Sequence, residues 1–217
     1  MGTATIRRDY RDEIKKDWDH AHYYELAEGY MDVFWNDGSV FRKYFEMLDL
    51  ESVVELACGW GRHSDYARAH YEPGTITLVD VLGSNISHCR QRFAGDDRFH
   101  FVVNSGSDLR DLSSDTYSAV FCYDAMVHFE YDDVFAYIRE IHRVLRPGGR
   151  ALLHHSNYDG RPGSVYSQNP HWRNFMSAAL FAHVAMRTGF RVVEQHKLDW
   201  GDKDLDCLTL LEKPVKD

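Results

Sequence analysis

Glu55, Gly59, Gly61 and Asp80 have the types and spacing of a nucleotide-cofactor loop. Residues 53–63, Val-Val-Glu-Leu-Ala-Cys-Gly-Trp-Gly-Arg-His, read as an apolar strand that ends in an acid and a Gly-x-Gly turn and then opens a helix. The two glycines let the backbone turn sharply and approach a ligand, and the free N–H groups of the following helix can hold a carboxylate or phosphate. Asp80 closes the next apolar run, 76–79, about one βαβ unit downstream, where a carboxylate accepts hydrogen bonds from a ribose diol. A second group of candidates follows two later apolar runs: Tyr123, Asp124 and His128, then His154, His155, Ser156, Asn157 and Tyr158. Open α/β sheets bind substrates at the carboxyl ends of such strands, and histidine there is suited to proton transfer near neutrality.

The elements that must position these residues alternate along the chain. Strand-like runs cover 52–57, 75–79, 100–104, 119–123 and 151–155, and helical patterns cover 62–70, 84–93 and 132–145 between them. In the last helix Val134, Ile138, Ile141 and Leu145 share one face, Asp132 and Asp133 sit at its positive end, and Pro147-Gly148-Gly149 stops it. Such alternation implies a parallel sheet covered on both faces. Near the end, a helix over 174–188 closed by Gly189 precedes two strands, 190–198 and 205–212. The six residues between them are too few for a parallel crossover, so the pair must be an antiparallel hairpin. Before the sheet, Trp18, Tyr23, Tyr24, Tyr30, Phe34, Trp35, Phe41, Tyr44 and Phe45 make an aromatic helical cap.

Composition narrows the partners. A chain of 217 residues, 44% hydrophobic, fits one domain of 1–217, divided into a cap (1–50), a cofactor-binding half (51–155) and a lid segment with the hairpin (156–217). A net charge of -9 argues against nucleic acid or an anionic membrane and for a small-molecule acceptor. Four scattered cysteines, with no CxxC pair, point to a reducing compartment. The start of the chain, with Arg7 and Arg8 soon followed by acids, fits no signal or transit peptide, and the expected location is cytoplasmic. Oligomeric state is not legible.

Four signatures together resemble the class I S-adenosylmethionine-dependent methyltransferases of small, single-domain kind, over about residues 20–212. They are Glu55-Leu-Ala-Cys-Gly59-Trp-Gly61, Asp80, Ser107-Asp108-Leu109-Arg110-Asp111-Leu112, and Arg143-Val-Leu-Arg-Pro147-Gly148-Gly149. The resemblance implies a Rossmann-like, seven-stranded, mostly parallel sheet with one antiparallel strand in a terminal hairpin and helices on both faces. It also implies S-adenosylmethionine as cofactor and S-adenosylhomocysteine as product. The cofactor residues it implies are Tyr24, Glu55, Gly59, Gly61, Asp80, Val81, Ser107, Asp108, Leu109 and Tyr123. The competing reading is a nicotinamide or flavin dinucleotide. That fingerprint wants a third glycine where Ser64 stands, and Glu55 would repel its pyrophosphate.

The implied reaction is in-line displacement at the sulfonium methyl, in which alignment supplies much of the catalysis. A hydroxyl acceptor also needs a base. Position puts His155 first and His128 second, with Asp124 beside them. Asp124, His155, Asn157 and Asp159 could converge on a metal, but the spacing does not demand one and none is expected. Tyr158, Tyr166, His171, Trp172 and Arg173 in the polar stretch 156–172 and just beyond it could form a lid over a sugar or natural-product hydroxyl. N-methylation of an amine, modification of a protein or peptide, and a non-catalytic S-adenosylmethionine-binding subunit stay open as alternatives.

Overall fold

The computed structural model describes residues 11–215; Arg7 and Arg8 and the first ten residues of the expected cap lie outside the described residues. Seven strands form one sheet: β1 Ser52–Leu56, β2 Thr75–Asp80, β3 Phe99–Val103, β4 Tyr117–Cys122, β5 Leu145–Ser156, β6 Arg191–Trp200 and β7 Asp202–Glu212. Their order is β3-β2-β1-β4-β5-β7-β6. Only β7 runs against its neighbours β5 and β6, as a terminal hairpin requires. Four short helices precede the sheet: α1 Arg11–Trp18, α2 Ala21–Glu28, α3 Met31–Trp35 and α4 Val40–Phe45. Further along are α5 Arg62–His70, α6 Gly83–Arg92, α7 Tyr131–Val144 and α8 Ala178–Thr188. Among the described residues no helix is long and apolar enough to cross a membrane.

Both faces of the sheet are covered by apolar side chains. On one, Val134, Ile138, Ile141 and Val144 of α7 bury against Val54, Val120, Ala151 and Leu153. On the other, the cap's Phe34, Trp35, Phe41, Tyr44 and Phe45 pack on Phe121, Leu152, Leu208 and Leu210. Each such buried ring contributes about 1.5–3 kcal/mol, enough to tie the cap firmly to the sheet. The cap is thereby divided: these five rings build the core, with Phe34 also at the edge of a cleft, while Trp18, Tyr23 and Tyr24 are left to line clefts.

Strand order reverses between β1 and β4, which opens a crevice at their carboxyl ends. Two non-glycine residues there take left-handed backbone conformations, Ala57 after β1 (φ 55°) and Asp124 after β4 (φ 55°). Such conformations are uncommon outside glycine and concentrate at functional positions.

Three boundaries differ from the sequence expectation. The helix α7 ends at Val144, and Pro147-Gly148-Gly149 lies inside β5, where Tyr117 pairs with Leu145 and Ala119 already pairs with Arg150. The turn is therefore a bulge in a strand rather than the stop of a helix. The hairpin is tighter than expected, since β6 continues to Trp200 and only Gly201 (φ 73°) separates it from β7. The helix expected from 174 begins at Ala178, because the Ser177 hydroxyl accepts the Leu180 N–H at 3.2 Å and caps it there.

The bulge yields a stability prediction. A Cβ on Gly149 would stand 2.9, 3.1 and 3.1 Å from the carbonyl oxygens of Arg146, Ser118 and Tyr117, none of which is free to swing away. Gly149→Ala is expected to cost about 1–3 kcal/mol, read as a lower urea midpoint; an unchanged midpoint contradicts the packing described.

Candidate active site

The glycine loop is held by the acid at the end of the neighbouring strand. Asp80 Oδ2 accepts the Gly59 N–H at 2.9 Å, and Oδ1 accepts the Leu82 N–H at 2.8 Å and Asn85 Nδ2 at 3.2 Å. Burial nevertheless pushes the Asp80 carboxyl up to about 6, against the pull of those donors. Asn85 also donates to the Tyr24 hydroxyl at 2.9 Å, bringing that ring over the loop. A Cβ on Gly59 (φ 54°) would lie 2.8 Å from Tyr24 Cε1, so both the turn and the close approach require glycine.

Glu55 is buried at the end of β1, and its Oε2 accepts both the backbone N–H (3.2 Å) and the hydroxyl of Ser64. Burial pushes it up to about 7. Ser64, the residue in place of a dinucleotide glycine, thus orients the acid toward the cleft floor.

Two connected cavities surround these groups. One, enclosing about 770 Å³, is lined by Tyr24, Glu55, Gly59, Asp80 and Tyr123, with Ile14 and Trp18 of α1 over it. The other, about 410 Å³, continues past Asp80 and Val81 to Asn104, Gly106 and Tyr137. Asn104 Nδ2 donates to the Asp108 carbonyl (3.0 Å) and to Tyr137 Oη (2.8 Å). Its Oδ1 is buried with no partner among the described residues.

The segment after β3 is arranged differently from expectation. Ser107, Asp108 and Leu109 line neither cavity. The Asp108 carboxylate turns to the Arg110 guanidinium (2.9 and 2.7 Å), which holds it down at about 2. Leu109 is buried in the core. Asn104 and Gly106 take their place, and the signal for Asn104 was its position as the first polar residue past β3.

A third, more open cavity of about 950 Å³ shares Trp18, Tyr23, Asp124 and His128 with the first. His128 Nδ1 lies 2.7 Å from the Trp172 carbonyl oxygen. A carbonyl can only accept, so Nδ1 carries the proton and Nε2 keeps its lone pair. Burial, with help from Arg173, pushes His128 down to about 4, so the ring is neutral at pH 7. Asp124 Oδ2 accepts from Arg62 at 3.0 Å and from the Tyr23 hydroxyl at 3.4 Å.

His155 is not at the cleft. It is fully buried and stacked on Phe181, with Nδ1 engaged by the Ser156 carbonyl (2.8 Å) and Nε2 by the Thr209 hydroxyl (2.8 Å). Burial pushes it down to about 3. With both nitrogens occupied it has no reach to an acceptor, so its placement as first candidate base is corrected. Among the described residues no cluster converges on a metal, and Asp124, His155 and Asp159 are not brought together.

His154, one residue earlier, faces the other side of the sheet. Its Nδ1 accepts the Asp124 backbone N–H at 3.1 Å, so Nε2 donates to Asp206 Oδ2 at 3.1 Å. Asp206 is also gripped by Arg173, whose Nε and second terminal nitrogen lie 2.8 and 2.6 Å from its two oxygens. Burial alone would raise the Asp206 carboxyl, but these donors outweigh it and hold it at about 2. Trp18, Tyr23, Arg62, Asn104, Asp206 and Trp200 were not singled out from sequence as site residues.

Comparison with known proteins agrees with this geometry. Residues 53–149 match a family model described as a methyltransferase domain. No curated protein matches the chain significantly. Among solved structures, the partner of the Haloferax volcanii Trm112 methyltransferase activator superposes with a TM-score of 0.69 at 18% identity, covering 96% of this chain and 99% of that one. An S-adenosylmethionine-dependent methyltransferase from Mesorhizobium loti gives 0.64 at 16%, covering 81% and 99%. Geranyl diphosphate methyltransferase in complex with S-adenosylmethionine gives 0.65 at 16%, covering 79% and 83%. The sheet order and the glycine loop thus give the Rossmann-like fold that these methyltransferases share. Over residues 53–149 the chain resembles a methyltransferase domain, and its fold is shared with S-adenosylmethionine-dependent methyltransferases.

Glu55 generates a prediction about stability and pH. Its folded-state pKa is raised, so the folded protein keeps this proton up to about 7, whereas the unfolded chain loses it near the ordinary 4.5. Stability is therefore lost as pH rises through that window. Glu55→Gln is expected to stabilise the ligand-free protein at pH 8 on the order of 3 kcal/mol, with the gain vanishing at pH 4. Thermal denaturation across pH checks this, and a pH-independent difference contradicts it.

Proposed function

We propose that this chain transfers the methyl group of S-adenosylmethionine to a hydroxyl of a small molecule, with His128 as the general base. The observation that carries this reading is the position of His128 in the wall common to the first and third cavities, with its tautomer set by the Trp172 carbonyl. A lone pair on Nε2, available at neutral pH, is what deprotonation of a hydroxyl needs.

The cofactor fits the other two cavities. The orphaned Asn104 Oδ1 is an acceptor suited to an exocyclic amine of adenine. Asp80, whose Oδ2 accepts only the Gly59 N–H, is suited to a ribose hydroxyl, and Glu55 at the floor is suited to the ammonium of the methionine end. The bound donor supplies a sulfonium-activated methyl group and leaves as S-adenosylhomocysteine. The chain's own part is to align the acceptor through the third cavity, exclude water with Trp18 and Tyr23, and take the hydroxyl proton on His128 Nε2.

His128→Ala is expected to slow transfer to a hydroxyl acceptor about a hundred- to ten-thousand-fold. For the native protein kcat/KM should fall as pH drops through about 4, where Nε2 is protonated, and stay level from about pH 6 to 8. In the variant the rate should instead climb with the hydroxyl's own ionisation. A variant that keeps both rate and profile sinks the assignment.

A further inference from the structure

We infer that the methyl acceptor is a planar aromatic alcohol, an aryl ring bearing the hydroxyl, seated in the third cavity; this rests on the methyl-transfer reading above and narrows its substrate class. Six aromatic side chains line that cavity: Trp18, Tyr23, Tyr30, Phe34, Trp172 and Trp200. Flat π-surfaces are the complement of such walls, through offset stacking and edge contacts.

Its charged groups are already engaged by one another. Arg173, only 2% exposed, is forked onto Asp206, donates a third bond to the His171 carbonyl at 2.8 Å and lies 5.2 Å from the Trp200 ring centroid. Asp124 is taken by Arg62 and Tyr23. A carboxylate acceptor would have to break the buried Arg173–Asp206 pair to be matched, which disfavours an anion in this cavity.

The wall that carries Trp172 is built under strain. His171 (φ 47°) and Trp172 (φ 58°) are consecutive non-glycine residues in the left-handed region, an arrangement that persists only where surrounding contacts enforce it, as in ligand clamps. The His171 ring fills the space beside Gly201, where a Cβ would stand 2.3 Å from Nε2, and so locks this loop onto the hairpin turn next to Trp200. The result is an indole 44% exposed at the cavity, while the backbone carbonyl of the same residue fixes the proton of His128. One loop therefore presents both the ring face and the oriented base, and an aryl ring lying on Trp172 brings its hydroxyl toward Nε2.

The test uses 2-naphthol and the full chain loaded with S-adenosylhomocysteine, with binding measured by calorimetry. Naphthol is expected to bind, Trp172→Leu to weaken it at least tenfold, and Trp172→Phe to restore most of the affinity. In parallel, methyl transfer from S-adenosylmethionine is compared for 2-naphthol, a methyl glucoside and benzylamine, with naphthol expected as the substrate. Absence of naphthol binding, or equal affinity in Trp172→Leu, overturns the inference. Transfer to the glucoside or the amine but not to naphthol overturns it too, while leaving methyl transfer itself standing. Naphthol binding with no methylation of any of the three overturns the acceptor role and the methyl-transfer reading together.

Discussion

A carboxylate with no exposure to solvent, Asp206 on β7, is the constraint on which the acceptor side depends. An ionised group in that position is tolerated only if every charge and lone pair around it is answered, because an unpaired buried charge costs several kcal/mol. Arg173 answers with a two-point grip and His154 with its Nε2–H. Satisfying Asp206 in this way also places what lies next to each donor. Arg173 ties the loop of His171 and Trp172 to the hairpin, and His154, through Nδ1, holds the backbone of Asp124 in its left-handed turn after β4. The hydrogen bond from Arg62 to Asp124 then carries the arrangement to the first turn of α5, beside the glycine loop. A hairpin strand far along the chain thereby sets the geometry of loops after β4 and β1.

The cofactor side follows the opposite logic. Asp80 and Glu55 are buried without a cationic partner at hydrogen-bond distance, and burial raises both instead of lowering them. Such acids make the ligand-free protein less stable at neutral pH than it would be with neutral residues. A cation bound beside them would relieve that deficit. Asp206 is answered by a charged partner inside the protein, whereas Glu55 and Asp80 are answered only by neutral donors.

Much of this was legible in the sequence because it is written in local patterns. The strands, the helix face of Val134, Ile138 and Ile141, the glycine loop and the reversal of the last strand follow from periodicity and from the length of chain available for a crossover. The choice between His154 and His155 was not legible. Successive residues of a strand point to opposite faces, and β5 is buried on both, so no alternation of polar and apolar residues tells which histidine faces the cleft. The same limit hid Asn104 behind Asp108. Motif likeness favoured the acid, but an arginine two residues later captures it, and that competition is between side chains rather than between backbone patterns.

The cap's division of labour has a consequence for how the two sites communicate. Trp18 and Tyr23 come from helices too short to be stable alone, and they hold their places through contacts with the sheet's loops, including the tilted contact of the Trp18 ring with His128 at 4.7 Å between centroids. Both rings line the first and the third cavity at once, as do Asp124 and His128. A wall shared in this way cannot respond to one occupant without being felt by the other, and linkage makes the coupling equal in both directions. An occupant of the first cavity that moves Trp18 or Tyr23 would therefore reshape the third, and the reverse. The aromatic residues of α1 and α2 thus do for binding what Asp206 does for geometry: they make two sites, built from distant segments of the chain, into one.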